Sequence, residues 1–158
     1  MKVRIGIAAL AVAAVSACAA PPSQDVVSRS LTAPSFSSSV VDQQLNALRA
    51  SRGLSTLKRS RALDRAAQMH AADMARRNFF SHKGSNGSTV GRRSKMAGYD
   101  WCRVAENIAK GQPDTASVMQ AWKASSGHLR NMTIRDMDNY GIARSGPNWV
   151  MVLGAKSC

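Results

Sequence analysis

The clearest hydrophobic pattern in the chain follows Ser60. Apolar residues and one histidine recur there at the i, i+4, i+7 and i+11 spacing of one helix face, with polar residues between them. The pattern predicts an amphipathic helix that buries this face. We therefore interpret its histidine, His70, as a packed and hydrogen-bonded side chain and not as a ligand. The buried face comprises Leu63, Ala67, His70 and Met74.

Two shorter helices are predicted from their end signals. Asp42 is a suitable N-cap for a helix that Gly53 would end. Thr89 can begin a further short helix, which Gly98 would stop. Serine, glycine and asparagine dominate residues 79–88, so a loop is predicted just before this helix.

Another helix is predicted between Thr115 and Ser126, where apolar residues fall on one side. Gly127 breaks this pattern. His128 is therefore expected just beyond a helix end, in a position from which a side chain can reach a cleft.

Strand patterns are confined to the second half of the chain. Residues 102–109 form one short candidate, and residues 139–144 and 149–153 flank a four-residue turn, as expected for an antiparallel hairpin. Helices first and an antiparallel sheet later indicate an α+β fold, with helices packed on the sheet.

The N-terminus has the pattern of an export signal. Two basic residues precede an apolar run that ends at Val15 and is too short for an ordinary membrane span. Residues 15–18 resemble a lipobox, in which the Cys18 thiol receives a diacylglyceryl group before cleavage. Plain signal-peptidase cleavage after Ala17 or Ala20 is the alternative, and it would leave a soluble secreted protein.

These features divide the chain into three parts. Residues 1–17 are the predicted lipoprotein signal peptide, residues 18–41 a disordered tether rich in alanine, proline and serine, and residues 42–158 one folded domain. The protein is expected in the cell envelope, held to a membrane by lipid on Cys18. In a Gram-negative host, the expected place is the periplasmic side of the outer membrane.

The chain has three cysteines. If Cys18 carries lipid, Cys102 and Cys158 are left as one pair in an oxidising compartment, where a disulfide is favoured. The alternative is two unpaired thiols.

The charge balance is strongly basic. Removal of residues 1–17 takes away two of 22 basic residues and none of nine acidic ones, so the formal charge changes from +13 to +11. This balance favours anionic lipid head groups or acidic envelope polymers as partners. Nucleic acid is the least suited partner, because the basic residues are scattered and few aromatic residues lie among them.

Three short segments carry side chains capable of chemistry. They contribute His82, Glu106 and His128. Two imidazoles and one carboxylate suit a zinc-type site, although two histidines alone would hold the metal weakly. Sequence spacing by itself is poor support, because the histidines belong to no short ligand motif such as H-E-x-x-H.

The order and surroundings of these segments resemble the bacterial branch of the CAP superfamily, the cysteine-rich secretory protein, antigen 5 and pathogenesis-related 1 (SCP-like) domains. This resemblance implies a three-layer α-β-α sandwich with a surface cleft, in which some members bind a divalent metal. His82, Glu106 and His128 fall on the cleft positions. The matching stretches, which cover almost all of residues 42–158, include 45–54, 70–75, 79–82, 98–99, 105–109, 122, 126–131 and 141–143.

The chain departs from the family pattern at two positions. Many eukaryotic members carry a fourth cleft acid where this chain has Ser125, and Ala105 replaces the usual glycine. The cleft is therefore expected to be lined by Ser125, Asn107 and Ser81, with a single carboxylate. This shortage of acids weakens any mechanism that needs two carboxylates.

Two functions from different classes are compatible with these residues. The favoured one is a monomeric binding module that holds a lipid, a peptide or an envelope polymer, with zinc or another divalent metal weakly bound in the cleft. In that case Glu106 could also be a structural acid that holds loop amides. The alternative is a metal-assisted hydrolase in which Glu106 acts as general base on water bound to a metal at His82 and His128.

Overall fold

The computed structural model describes residues 36–158. The predicted signal peptide, Cys18 and most of the predicted tether lie outside the described residues. In the described part the order of elements is α1 Ser38–Ala50, β1 Lys58–Arg59, α2 Arg61–Arg77, α3 Val90–Met96, β2 Arg103–Lys110, α4 Thr115–Ala124, α5 Ser126–Met132, β3 Asn139–Ser145 and β4 Asn148–Ala155.

The four strands form one sheet in the order β1-β3-β4-β2. β4 pairs antiparallel with both β3 and β2, whereas β1 pairs parallel with β3, so the sheet is mixed and not wholly antiparallel as predicted. Sequence patterns missed β1 because it comprises only two exposed basic residues. β2 lies at one edge of the sheet, and this edge becomes important for the site.

Helices cover both faces of the sheet. On one face α2 packs on β3 and β4, and on the other α1, α4 and α5 enclose the larger part of the core. This arrangement confirms the expected three-layer α-β-α sandwich. The larger cluster contains the predicted inward-facing strand residues Tyr140, Ile142, Trp149, Met151 and Leu153.

Helix α2 approaches β3 so closely that a side chain would not fit between them. A Cβ atom on Gly141 would lie 2.2 Å from the backbone nitrogen of Asp64. The Asp64 carboxylate also accepts a hydrogen bond from the Ile142 amide at 2.9 Å. As predicted, the helix begins after Ser60, whose hydroxyl accepts a bond from the Leu63 amide.

Helix α1 begins four residues before the predicted cap. It starts at Ser38, so Asp42 lies inside the helix. The carboxylate of Asp42 instead accepts a hydrogen bond from the Tyr140 hydroxyl at 2.5 Å. The longer helix buries Val41 as well as Leu45, which accounts for its earlier start.

The predicted break at Gly127 lies inside a helix. The chain turns at Ser125, whose backbone is extended, and Gly127 belongs to the first turn of α5. His128 therefore lies within α5 and not beyond a helix end. The sequence signal failed here because a seven-residue helix directly after another helix shows too short a pattern to be recognised.

The hairpin between β3 and β4 is tighter than predicted. Ser145 pairs with Asn148, so the turn has two residues and not four. Gly146 takes a positive φ of 55°, a conformation that glycine adopts without strain.

A disulfide joins Cys102 to Cys158, as predicted. It fixes the end of the chain after β4 to the residue before β2, across a sequence separation of 56 residues. In the chain-entropy model a loop of this length contributes about 4 kcal/mol to stability. Within residues 36–158, none of the helices has the length and apolar character needed to span a membrane.

Candidate functional site

Glu106 lies at the centre of the candidate site and is almost entirely buried. Its side chain is 2% exposed, and its Oε2 atom accepts a hydrogen bond from the Arg93 guanidinium at 2.7 Å. Its Oε1 atom lies 2.8 Å from Nδ1 of His82. Since an ionised carboxylate only accepts hydrogen bonds, this ring nitrogen is the donor. Both carboxylate oxygens therefore have protein partners.

Arg93 links the carboxylate to the loop that carries His82. Its guanidinium is also buried, and it donates to the main-chain oxygens of Ser88 at 2.8 Å and of His82 at 3.1 Å. Sequence reasoning treated Arg93 as part of a solvated basic face. No pattern in the sequence distinguishes it from the exposed Arg92 beside it.

His70 also reaches this site. It is fully buried, and its Nε2 atom donates to the main-chain oxygen of Ser81 at 2.7 Å. The prediction of a packed, hydrogen-bonded histidine is thus confirmed. The same Nε2 atom lies 3.9 Å from Oε1 of Glu106, a proximity that the sequence did not indicate. Burial lowers the pKa of His70, which favours the neutral ring.

His82 has the opposite electrostatic environment. Its side chain is 60% exposed, and its hydrogen bond to Glu106 raises its pKa. Because Nδ1 is directed at the carboxylate, Nε2 is the ring nitrogen available for a ligand.

His128 approaches the site from the opposite helical layer. Its ring lies 6.4 Å from the Trp122 ring, between centroids, and its main-chain oxygen accepts a hydrogen bond from the Asn107 side chain at 3.1 Å. Burial lowers the pKa of His128, and the charge of His82 lowers it further. The two imidazoles thus interact electrostatically from opposite sides of the edge strand.

The residues suit a metal only in part. Among residues 36–158 no group of three or more histidine, cysteine, aspartate or glutamate side chains is arranged to hold an ion. His82 and His128 offer two imidazoles, whereas Glu106 is directed at Arg93 and Nδ1 of His82. In metal sites a carboxylate in that position orients a ligating histidine without binding the metal itself. This donor set fits an open, weak site with two protein ligands.

The other predicted cleft residues have mainly structural contacts. Asn107 is buried, and its Oδ1 atom accepts from Asn131 at 2.9 Å. Asn131, which sequence reasoning did not select, also donates to the main-chain oxygen of Glu106 at 3.2 Å. The Ser81 hydroxyl accepts from the Lys83 amide, and Ser125 joins α4 to α5.

An open cavity of about 600 Å³ runs beside His82 along β2. Its charged lining comprises His82, Lys83, Arg103 and the paired Glu106. Apolar side chains reach it from both helical layers: Val90 from α3, and Ile134 from the segment after α5. Neither Ser125, Asn107, Ser81 nor His128 belongs to the lining of this cavity.

Residues 43–150 match the model of the cysteine-rich secretory protein family, CAP. This match spans more than half of the chain and contains all three of His82, Glu106 and His128. The chain belongs to the CAP family. The resemblance inferred from the sequence motifs is thereby confirmed.

Similar proteins share this CAP domain. The uncharacterized protein YkwD of Bacillus subtilis is 30% identical over 139 residues, which are 85% of this chain and 54% of the relative. The chain therefore spans about half the length of that protein.

Solved structures agree on the fold. An extracellular protein of Bacillus anthracis with an SCP domain gives a TM-score of 0.72 at 24% identity, covering 75% of this chain and 40% of the other. An outer surface protein of Borrelia burgdorferi gives 0.69 at 20% identity, covering 75% and 92%.

Proposed function

We propose that this protein is an exported binding module of the cell envelope, anchored by lipid on Cys18. Its CAP cleft would hold a lipid, a peptide or an envelope polymer. Export is supported by the signal pattern of residues 1–17 and by relatives that are described as extracellular or outer surface proteins. The Cys102–Cys158 disulfide agrees with an oxidising compartment.

The observation that carries this proposal is the pairing of Glu106. A general base needs a carboxylate oxygen that can reach a water molecule in the cleft. Here Arg93 occupies one oxygen at 2.7 Å and His82 the other at 2.8 Å, and the side chain is 2% exposed. This geometry favours a structural acid that holds the cleft in shape over the general base of a metal-assisted hydrolase.

The walls of the cleft support binding of an anionic, partly apolar ligand. Lys83 and Arg103 are exposed cations at its mouth, and the carboxylate of Glu106 is offset by Arg93. Val104 and Ile134 add apolar surface next to these charges. Pockets of this kind, with apolar walls and a few polar groups, are typical of ligand sites.

A divalent metal belongs to this proposal as a weakly held component. His82, through Nε2, and His128 would hold zinc or a similar ion, and Glu106 would orient His82. Bound zinc acts as a Lewis acid, so it could polarise an anionic group of the ligand.

Zinc titration calorimetry, combined with a hydrolysis assay, tests the proposal. The wild-type protein should bind one zinc ion weakly, and the His82→Ala/His128→Ala variant should bind none. His82 is exposed, so its replacement leaves the Glu106–Arg93 pair in place. The zinc-loaded protein should not hydrolyse chromogenic ester, phosphate or peptide substrates. Zinc-dependent turnover that the double variant lacks would contradict the binding module and establish the hydrolase.

A further inference from the structure

The main chain of β2 is open at one point of the cleft. The main-chain oxygens of Glu106 and Ile108 accept bonds from the side chains of Asn131 and Trp122, at 3.2 and 3.3 Å. The Gly111 amide, one residue after the strand, donates instead to Pro147 at the start of β4. Even-numbered residues of β2 therefore direct their main-chain groups away from β4, towards the free edge.

Val104 is the even-numbered residue at which this edge meets the cavity. It lines the cavity and has the same orientation as Glu106 and Ile108. Among residues 36–158, no side chain covers its main-chain N–H and C=O in the way that Asn131 and Trp122 cover the next two even-numbered residues. An uncovered edge offers hydrogen-bond partners to another extended chain.

The charges around Val104 favour an acidic occupant. Lys83 and Arg103 lie at the cavity, and Arg103 has only a loose contact of 3.4 Å with the exposed Asp136. Glu106 adds little negative charge because Arg93 is paired with it. The cleft thus presents cations beside an open strand edge.

The walls fit the geometry of a strand. Side chains of an extended peptide alternate between the two faces of the sheet that it joins. The cavity has apolar surface on both sides of β2, with Val90 in the layer of α2 and α3 and Ile134 next to α5. Both rows of peptide side chains would therefore find a wall.

We propose that the cleft binds an extended peptide that carries carboxylates, by adding it as a strand to the β2 edge at Val104. Main-chain hydrogen bonds at Val104 give affinity, and Lys83 and Arg103 select acidic side chains or a C-terminal carboxylate. This inference rests on the proposed function, because it names the ligand class of the same cleft.

The test measures fluorescence anisotropy of a labelled hexapeptide of alternating valine and glutamate, titrated with the purified full chain. Val104→Pro removes the edge N–H without removing a bond to β4, since proline is tolerated where the N–H faces away from the sheet. Val104→Thr keeps the N–H and is the matched control. We expect Val104→Pro to weaken binding about tenfold, and Val104→Thr to change it less than about twofold.

Two changes to the peptide keep the test independent of how the variants fold. N-methylation of the central residues removes the peptide N–H groups, and replacement of glutamate by lysine reverses its charge. Either peptide should lose binding to the wild-type protein. Undiminished binding by the N-methylated peptide, or by Val104→Pro, would overturn strand addition.

Two further probes separate this inference from the proposed function. Short-chain phosphatidylglycerol and soluble peptidoglycan fragments are titrated by calorimetry under the same conditions. If one of them binds and the acidic peptide does not, the peptide inference is wrong and the binding module stands. If none of the three probes binds to the folded protein, both proposals fail.

Discussion

The carboxylate of Glu106 joins parts of the chain that are separate in sequence. It extends from β2 and contacts Arg93 of α3 and His82 of the preceding loop. His70 of α2 lies beside it and holds the loop through the Ser81 carbonyl. The position of His82, the exposed member of the site, therefore depends on buried groups from three elements.

His82 gives the site a pH-dependent contribution to stability. Its hydrogen bond to Glu106 raises its pKa above the ordinary value of about 6.5, so the folded protein binds this proton more tightly than the unfolded chain. The contribution is complete below pH of about 6.5 and is lost as pH rises through the raised pKa. His82→Gln should therefore reduce the unfolding free energy more in acid than in alkali.

Urea unfolding of both proteins across this pH range measures the effect. Burial lowers the pKa of His70 and of His128, so these residues make folding less favourable in acid. Both proteins contain them, and the difference between the two curves isolates His82. A difference that stays constant with pH, or grows as pH rises, would show that the contact with Glu106 does not favour the protonated ring.

The residues of the site differ in how far the sequence could predict them. His82, Glu106 and His128 were found because they occur in short segments that match a family in the right order. Arg93 and His70 were missed as site residues, because partners that meet through folding leave no local pattern. Burial of His70 was predictable, since helical periodicity reports which face is buried but not what lies opposite.

At the scale of elements, Arg49 holds α1 against the chain that follows α5. Its guanidinium is fully buried and donates to four main-chain oxygens in two segments. One segment begins at Met132, directly after Asn131, whose side chain contacts β2. Arg49 thereby helps to fix the helix that closes one side of the cleft. The four acceptors are Ser55, Met132, Ile134 and Arg135.

Arg49→Lys should destabilise the protein strongly. A lysine ammonium has three donors on one nitrogen and cannot reproduce the planar fork, so buried carbonyls lose their partners. We expect the unfolding free energy to fall by about 3 kcal/mol or more in urea unfolding. Arg52→Lys, at an exposed position after the same helix, is the control and should have almost no effect. Equal stability of the two variants would show that the carbonyl contacts of Arg49 are dispensable.

Elements with a long pattern were predictable, and short ones were not. Helix α2 has four turns of clear periodicity and a serine cap, and it was predicted nearly to its ends. Strand β1 and helix α5 are two and seven residues long, too short for a period to be visible. The missed α5 changed the picture of the site, because it places His128 inside a helix.

At the scale of the whole molecule, the site lies where both helical layers meet one edge of the sheet. His82 comes from the layer of α2 and α3, and His128 comes from the layer of α1, α4 and α5. The Cys102–Cys158 bond fixes the chain end beside the start of the same edge strand. The cleft is therefore a property of the complete sandwich, and the sequence could predict it only through the family resemblance.

The central claim is that Glu106 holds the cleft together and does not perform chemistry. The most direct test is the unfolding free energy of Glu106→Gln, measured in urea beside the exposed control Asp100→Asn. Glutamine keeps the shape but removes the charge that Arg93 faces, and breaking a buried ion pair costs about 3 kcal/mol or more. The account predicts that loss, with the control unchanged. A folded Glu106→Gln protein as stable as the wild type, or more stable, would contradict the account.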